Sequence, residues 1–247
     1  MPGDIWADPG FWMMVAAATM GGLVRGFTGF GTAMVFIPVA ARVVGPVEAI
    51  TTMLVMDAVG PLPLVRRAIR AADPRELRLL GLGLLVGVPT GVALLTSISP
   101  DSFRWAVSAL SLVLLALLVG GFRYRGRLSA VATAAVGFAG GFTGGAAGLA
   151  GPPVILAYMS SSRAAASIRA NILLYLIMSD LVFLGIVWWR DLLSVSALAT
   201  GLILVVPYGL ASVAGAAIFH PDRGRVYRAV AYVVIGGSAI LGLPVIG

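Results

Sequence analysis

The sequence contains no cysteine, and its only histidine is His220. Without cysteine the chain can form no disulfide, thiolate metal site, iron–sulfur cluster or covalent haem. One histidine cannot build a multi-histidine metal site. Because His220 stands in the short polar stretch His-Pro-Asp-Arg, we expect it in a surface loop. We therefore predict no metal and no cofactor.

Charged residues are also scarce. They make up 11% of the 247 residues, whereas soluble domains carry about 25%. Hydrophobic residues make up 60% and the mean hydropathy is +1.02. Apolar runs of about 20 residues, the length that a transmembrane helix requires, recur along the chain. This composition predicts an all-α integral membrane protein that is surrounded by the lipid bilayer.

The positive charge of the chain is carried by arginine alone. There is no lysine, and the formal net charge is +7. In a membrane protein an excess of arginine is explained by the positive-inside bias of cytoplasmic loops, so we predict no nucleic-acid partner. Signatures of enzymes are missing too: the sequence has no GxSG serine motif, no second histidine and no carboxylate cluster. We therefore do not expect an enzyme.

Two short glycine-rich stretches stand inside long apolar runs. Residues 26–31 read Gly-Phe-Thr-Gly-Phe-Gly, and residues 141–146 read Gly-Phe-Thr-Gly-Gly-Ala. Since glycine costs about 1 kcal/mol per residue in a helix interior relative to alanine, we predict a helix break at each stretch. Backbone groups freed by a break survive in hydrocarbon only where protein or a water-filled cavity surrounds them. Paired breaks in two halves of a chain are typical of a transporter binding site.

The two stretches belong to an internal repeat. Residues 26–39 align with residues 141–154 at a constant offset, and the Val-Pro-x-Gly sequence of residues 88–91 returns at residues 206–209. We therefore predict two repeats within one transmembrane domain. The first, residues 1–125, has a broken helix over 11–44 and spans over 47–65, 79–98 and 103–122, and the second, residues 126–247, has a broken helix over 128–159 and spans over 165–189, 192–219 and 226–246.

The arginines predict how the halves are oriented. If each broken segment leaves the membrane on the side where it entered, every arginine outside the breaks except Arg42, Arg104 and Arg190 falls on one side. That topology inverts one half relative to the other and places both termini outside, a common transporter plan. We expect Arg42 to be solvated at the membrane interface, and residues 66–78 to form a basic loop.

The pieces that flank each break are short. At about 14 residues and about 21 Å each, they cannot cross about 30 Å of hydrocarbon upright, so we expect half-helices. Whether the broken segments are re-entrant or fully crossing stays open.

Half-helices that begin at the breaks present their N-termini near the bilayer midplane. An N-terminus carries unpaired N–H groups and about half a positive charge, which suits a small anion. Arg25 could add a full charge, and phenylalanines beside the breaks an apolar contact. The alternative is that the glycines allow close helix packing. The predicted substrate-binding residues are Arg25, Gly26, Phe27, Thr28, Gly29, Gly31, Thr32, Gly141, Phe142, Thr143, Gly144, Gly145, Pro152 and Pro153.

Two acids, Asp57 and Asp180, lie inside apolar spans. Acids in membrane segments are functional candidates by default, including as proton carriers, so both are candidates for proton coupling. The alternatives are a structural pair with Arg25 or Arg169, or a position near the end of a span. Asn171 is either a ligand or, as we favour, a group that forms an interhelical hydrogen bond.

The glycine-rich stretches, with Pro38 after the first and Gly-Pro-Pro at residues 151–153 after the second, resemble those of the TauE/SafE sulfite exporter family. This family is also called the 4-toluene sulfonate uptake permease group. The resemblance covers essentially the whole chain and extends to Arg169. It implies movement of sulfite, sulfonates or related organosulfur anions across the bacterial inner membrane. Where many members have glycine runs, this chain has Ala146 and Ala147, which leaves open a ligand other than sulfite.

From the residues and the resemblance together we predict a secondary transporter of a small anion, which works by alternating access and is a candidate for proton coupling. The direction of transport is open, since the family includes proposed exporters and importers. A gated anion channel and a transporter of small carboxylates remain as alternatives. Assembly into a homo-oligomer is also left open.

Overall fold

A computed structural model describes residues 8–28, 30–58, 62–120, 129–158, 165–218 and 224–246. This part of the chain contains α-helices and a short 3₁₀ turn and no strand, which confirms the all-α prediction. The helices are α1 (Pro9–Thr28), α2 (Thr32–Ala40), α3 (Pro46–Ala58), α4 (Leu62–Ala71), α5 (Pro74–Leu95), α6 (Pro100–Val119), α7 (Ala130–Ala147), α8 (Gly151–Tyr158), α9 (Ala165–Trp189), α10 (Val195–Ile218) and α11 (Gly224–Leu241).

Transmembrane helices are confirmed as well. Within the described residues, five helices are long and apolar enough to cross a bilayer: α5, α6, α7, α9 from Ser167 onward, and α10. Large apolar side chains stand exposed on several of them, for example Leu82 on α5 and Val213 on α10. In water such exposure would be costly, whereas in hydrocarbon it is what a helix face requires.

The predicted span over residues 47–65 is replaced by two helices, α3 and α4. Gly60 and Pro61 stand in the sequence between them, at positions outside the described residues. The expected basic loop over residues 66–78 is also corrected, because most of it lies on α4 and the start of α5. On α4 the small side chain of Ala68 is buried against α9, while the arginines of the same helix are exposed. The prediction considered only the charged residues of this segment, and the apolar face that makes it an amphipathic helix was overlooked.

The helices that precede the two breaks are longer than predicted. α1 has 20 residues and α7 has 18, which at 1.5 Å per residue gives about 30 Å and about 27 Å. The helices that follow are short, with 9 residues in α2 and 8 in α8. Each broken segment is therefore a full-length helix followed by a short one, and the prediction of two matched half-helices is wrong.

The second break also lies further along the chain than predicted. α7 runs without interruption through residues 141–146 and ends at Ala147. The chain turns at Gly148, whose φ of +69° is a left-handed conformation that glycine adopts without steric cost. In the first half α1 continues to Thr28, and Gly31 at φ +99° precedes α2. Gly29 lies outside the described residues.

The helices divide into two compact units, and each unit takes helices from both sequence repeats. Within the described residues, unit 1 contains α1, α2, α6, α10, α11 and α3 up to Asp57, and unit 2 contains α4, α5, α7, α8 and α9. The division of the sequence into repeats 1–125 and 126–247, and the inversion of one repeat, stay predictions.

In unit 2 the helices α5 and α7 pack backbone to backbone through glycines four residues apart. A Cβ atom on Gly83 would lie 2.0 Å from the Ala134 carbonyl oxygen, and one on Gly87 would lie 2.4 Å from that of Phe138. From the other side, a Cβ on Gly145 would lie 2.4 Å from the Val88 carbonyl oxygen. No side chain fits at such positions, so the contact depends on the absence of Cβ atoms.

Unit 1 contains the same kind of pair, formed by α1 and α10. A Cβ atom on Gly22 would lie 2.4 Å from the Tyr208 carbonyl oxygen, and one on Gly26 would lie 2.4 Å from that of Ser212. In both units the helix that carries a Gly-Phe-Thr-Gly motif packs on the helix that carries a Val-Pro-x-Gly motif, and the two come from different repeats. The pairing gives the repeated motifs a shared structural role.

Two of the three arginines predicted to lie on the opposite side from the others, Arg42 and Arg104, cap the end of α11 in unit 1. Arg42 donates a hydrogen bond to the Leu241 carbonyl oxygen at 3.0 Å, and Arg104 donates to those of Gly242 and Leu243 at 3.3 and 3.2 Å. These carbonyls at the end of α11 have no partner within the helix, and a cation there also complements the helix dipole. Arg42 is therefore bonded to the end of α11 through an exposed hydrogen bond, and its solvation stays a prediction.

Candidate functional site

A charged pair lies between two helices of unit 1. The Arg25 guanidinium on α1 donates from Nη1 to Oδ2 of Asp57 on α3, at 2.6 Å. The two side chains are 23% and 17% exposed, so neither is sealed from its surroundings. Of the alternatives that the sequence left open for Asp57, the pair with Arg25 is thus the one that forms.

Two hydroxyl groups extend this pair. The Tyr208 hydroxyl on α10 donates a short hydrogen bond to Oδ1 of Asp57, so both carboxylate oxygens have a partner. Because the tyrosine proton is committed to Asp57, Thr32 is the donor in its 3.2 Å hydrogen bond to the Tyr208 oxygen. Tyr208 and Thr32 are each only 3% exposed. We call Arg25, Asp57, Tyr208 and Thr32 the charged cluster.

The glycine contacts of α1 and α10 position this cluster. Gly22 and Gly26 allow the backbone of α10 to approach α1 closely at Tyr208 and Ser212. Arg25 lies in the same turns of α1, and Arg25 and Tyr208 bond to the two oxygens of the same carboxylate, that of Asp57. Gly26 was predicted to bind substrate, and its geometry supports the packing alternative.

The N-terminus of α2 begins at the charged cluster. Thr32 is its first residue, and the residue before it, Gly31, has no side chain to cap it. The Val35 N–H bonds to the Gly31 carbonyl, which starts the helical pattern and leaves the amides of the first turn without partners in the helix. Unpaired amides and the helix dipole both favour negative charge at this end.

The corresponding end in unit 2 is built differently. α8 starts at Gly151 and continues with Pro152 and Pro153, which have no N–H group. Two of the first three positions therefore offer no amide donor. The sequence analysis treated the two N-termini as equivalent, and the prolines make them unequal.

Thr143 stabilises the turn between α7 and α8 in unit 2. Its hydroxyl lies 2.8 Å from the Leu149 carbonyl oxygen, closer than to the carbonyls of its own helix, and thus bridges the turn after α7. The backbone adds two bonds, from the Gly148 N–H to the Gly144 carbonyl and from the Leu149 N–H to the Thr143 carbonyl. That the Thr143 hydroxyl binds an anion stays a prediction.

The other predicted residues of unit 2 contact protein. Gly141 and Gly145 pack on α5, whereas a Cβ on Gly144 would lie 2.8 Å from the Cβ of Ala150. Phe142 is half-buried, with its ring stacked on that of Phe138 at 6.2 Å. Gly29 and the side chains of two residues predicted to bind substrate lie outside the described part: Phe27 and Thr28.

A second polar cluster, in unit 2, includes two residues that the sequence analysis missed. Oε2 of Glu76 accepts hydrogen bonds from the Asn171 amide at 3.0 Å and from the Tyr158 hydroxyl at 3.1 Å. The Asn171 side-chain oxygen accepts from the Asp73 N–H at 2.9 Å. The favoured interpretation of Asn171 as an interhelical hydrogen-bonding group is therefore confirmed. We call Glu76, Tyr158 and Asn171 the buried cluster, since each is at most 6% exposed.

Asp180 lies on α9 of unit 2 and is half-buried. Arg169 on the same helix is exposed. Asp57 is in direct contact with Arg25, an arginine that was itself predicted to bind an anion.

One sequence signal could have revealed Tyr208. It occupies the variable position of the repeated Val-Pro-x-Gly motif, where the first repeat has Thr90. The Thr90 hydroxyl bonds to carbonyls of its own helix, at Val86 and Gly87. The first repeat has a threonine that bonds within its own helix, and the second has a tyrosine long enough to reach another helix. Such a difference between aligned positions indicates a contact that only one repeat makes.

Comparison with known proteins gives one match. Residues 14–241 match the model of a family described as sulfite exporter TauE/SafE. No curated protein and no solved structure matches the chain. The match and the five apolar helices agree on a multi-pass membrane protein with a transport function.

Proposed function

Because the chain belongs to the TauE/SafE sulfite exporter family, we propose that it is a secondary transporter that carries a small organosulfur anion, sulfite or a sulfonate, across the bacterial inner membrane. The observation that carries this proposal is the family match, which extends over nearly the whole chain. The family suggests a permease and not an enzyme.

The charged cluster supports an anionic substrate. Arg25 is a guanidinium in a part of the chain rich in apolar helices, and it remains partly exposed. A guanidinium matches planar pairs of oxygen atoms and forms charge-assisted hydrogen bonds with them. Sulfite and sulfonates present such oxygens. The uncapped N-terminus of α2 adds a second feature that favours negative charge at this place.

Proton coupling is part of the proposal, with Asp57 as the carrier. Moving one negative charge inward against a potential of 100 mV costs about 2.3 kcal/mol, and a proton that travels with the anion cancels this cost. Asp57 is the preferred carrier because its carboxylate touches Arg25, and Asp180 is the second candidate.

The test is transport by the purified full-length chain in proteoliposomes. We expect saturable uptake of radiolabelled sulfite, acceleration by unlabelled sulfite on the opposite side, and stimulation by an imposed proton gradient. Thiosulfate, sulfoacetate, taurine and small carboxylates, added as competitors, define the substrate class. Flux that neither saturates nor shows counterflow would indicate a channel, and absence of both flux and sulfite binding would contradict the proposal.

A further inference from the structure

We propose that Asp57 is an internal substitute for the transported anion: its carboxylate occupies Arg25 when the carrier is empty, and the substrate must displace it. This inference rests on the proposed function and concerns how the same site is regulated. The substrate anion and the Asp57 carboxylate compete for one guanidinium. Because protonation removes the charge of Asp57, binding of the anion depends on binding of the proton.

The geometry of the pair supports competition. Nη1 of Arg25 and Oδ2 of Asp57 are 2.6 Å apart, the contact that an anionic oxygen of a substrate would make with the same nitrogen. A carboxylate and a sulfonate present similar oxygens to a guanidinium. Both side chains are partly exposed, so protein does not enclose the pair completely. Competition requires that the anion approach the pair through this exposed part.

Asp57 also has a partner that remains when Arg25 is taken away. The Tyr208 hydroxyl bonds to the other carboxylate oxygen, and the Thr32 hydroxyl donates to the Tyr208 oxygen. The ionisable groups bonded to Asp57 are Arg25 from α1 and Tyr208 from α10. The second acid of α3, Glu48, lies in the first turn of that helix beside Ser196.

Competition couples the two ions in a balanced way. A proton from solution binds the Asp57 carboxylate and removes its charge, so the attraction to Arg25 falls. The anion then takes the place of Asp57 at Arg25. Release of the anion on the other side lets Asp57 lose its proton to solution and bind Arg25 again. One proton and one negative charge cross together, and an empty carrier with a charged Asp57 keeps its arginine neutralised.

The decisive experiment compares sulfite binding by the full-length wild type and by Asp57→Asn, using calorimetry at the same pH. The asparagine cannot neutralise Arg25, so we expect sulfite to bind about tenfold more tightly. This factor corresponds to an Arg25 that is released from Asp57 about one tenth of the time in the wild type. Comparison at one pH cancels the protonation of sulfite itself. The response of sulfite transport to a proton gradient should be lost in this variant.

Glu48→Gln is the matched control, because it removes an acid from the same helix at a distance from Arg25. We expect its sulfite affinity to equal that of the wild type. Unchanged or weaker binding by a monodisperse Asp57→Asn variant would overturn the competition. If neither the wild type nor the variant binds sulfite or any of the competitors, the proposed function itself fails.

A measurement on the wild type avoids dependence on the folding of the variant. Infrared difference spectra, recorded with and without sulfite, should show a protonated carboxyl band that appears on binding, since the displaced Asp57 takes up a proton. The band should persist in Glu48→Gln. Saturation with sulfite without any carboxyl band would overturn the inference.

Discussion

The two units use one scaffold for two different polar centres. In each, a helix with a Gly-Phe-Thr-Gly motif packs through glycines on a helix with a Val-Pro-x-Gly motif. Unit 1 holds the charged cluster, with its arginine and carboxylate partly exposed, whereas unit 2 holds the buried cluster, in which a carboxylate accepts hydrogen bonds from neutral groups. The comparison shows that both units pair their helices through close glycine contacts, while the polar residues beside those contacts differ.

The ends of the short helices differ in the same sense. α2 starts with residues that all have amide donors, whereas α8 starts with two prolines within its first three positions. In unit 2 the threonine of the Gly-Phe-Thr-Gly motif, Thr143, bonds to the turn that follows its helix. These differences support the proposal that the anion binds in unit 1.

The largest effect is expected from breaking the shared scaffold. In Gly87→Val the new side chain would meet the Phe138 carbonyl oxygen, which would lie 2.4 Å from its Cβ, so α5 and α7 could not approach. Overpacking at backbone contacts costs about 1–3 kcal/mol or more. We expect no monodisperse protein in detergent by size-exclusion chromatography. Gly185→Val, on α9 where a Cβ meets nothing within 4 Å, is the control and should elute as the wild type does.

The second-largest effect is expected from removing the arginine of the charged cluster, compared with removing an arginine elsewhere in the chain. Arg25→Gln removes the guanidinium and should reduce sulfite uptake in proteoliposomes about 100-fold or more, since charge-assisted bonds of about 1.5–3 kcal/mol are lost together with the counter-charge. Arg70→Gln, an exposed arginine on α4, should retain uptake. The double variant Arg25→Gln/Asp57→Asn leaves no unpaired acid. If it restores transport along with stability, the role of Arg25 is only structural.

The buried cluster provides the contrasting case. Glu76→Ala leaves the Asn171 amide and the Tyr158 hydroxyl without their shared acceptor, and unsatisfied buried groups cost about 1–3 kcal/mol each. We expect a lower midpoint of thermal unfolding and an unchanged sulfite dissociation constant for the protein that remains folded. A loss of proton coupling without a loss of stability would show that unit 2 also carries transport chemistry.

The smallest effect concerns the break after α7. Thr143→Val removes the hydroxyl that bonds to the Leu149 carbonyl, a neutral hydrogen bond with a net contribution of about 1 kcal/mol. The unfolding midpoint should fall slightly, and Thr143→Ser should restore it because serine keeps the hydroxyl. Equal midpoints for the valine and serine variants would contradict a structural role for this hydroxyl.

Helix breaks show how far local sequence reasoning reaches. Glycine content predicts a break at each motif, and α1 does end at Thr28 within the first stretch, but the break predicted at residues 141–146 is wrong. The exact residues differ, since α7 continues through its whole motif and turns only at Gly148. A helix that contains several glycines is held by the partner that packs on them, and the propensity of about 1 kcal/mol per glycine does not include that partner. The same omission made α1 and α7 look like half-helices.

Composition, hydropathy and the paired motifs by themselves determined the all-helical membrane class and the family, because the cost of placing polar groups in hydrocarbon is set residue by residue. Only the tertiary structure decided the partners of Asp57: Arg25 and Tyr208 lie far from it along the chain and meet it through helix packing that no local pattern encodes. It likewise decided that helices from different repeats pair within each unit. Contacts of this kind depend on which backbones can approach, and only the assembled helices provide that information.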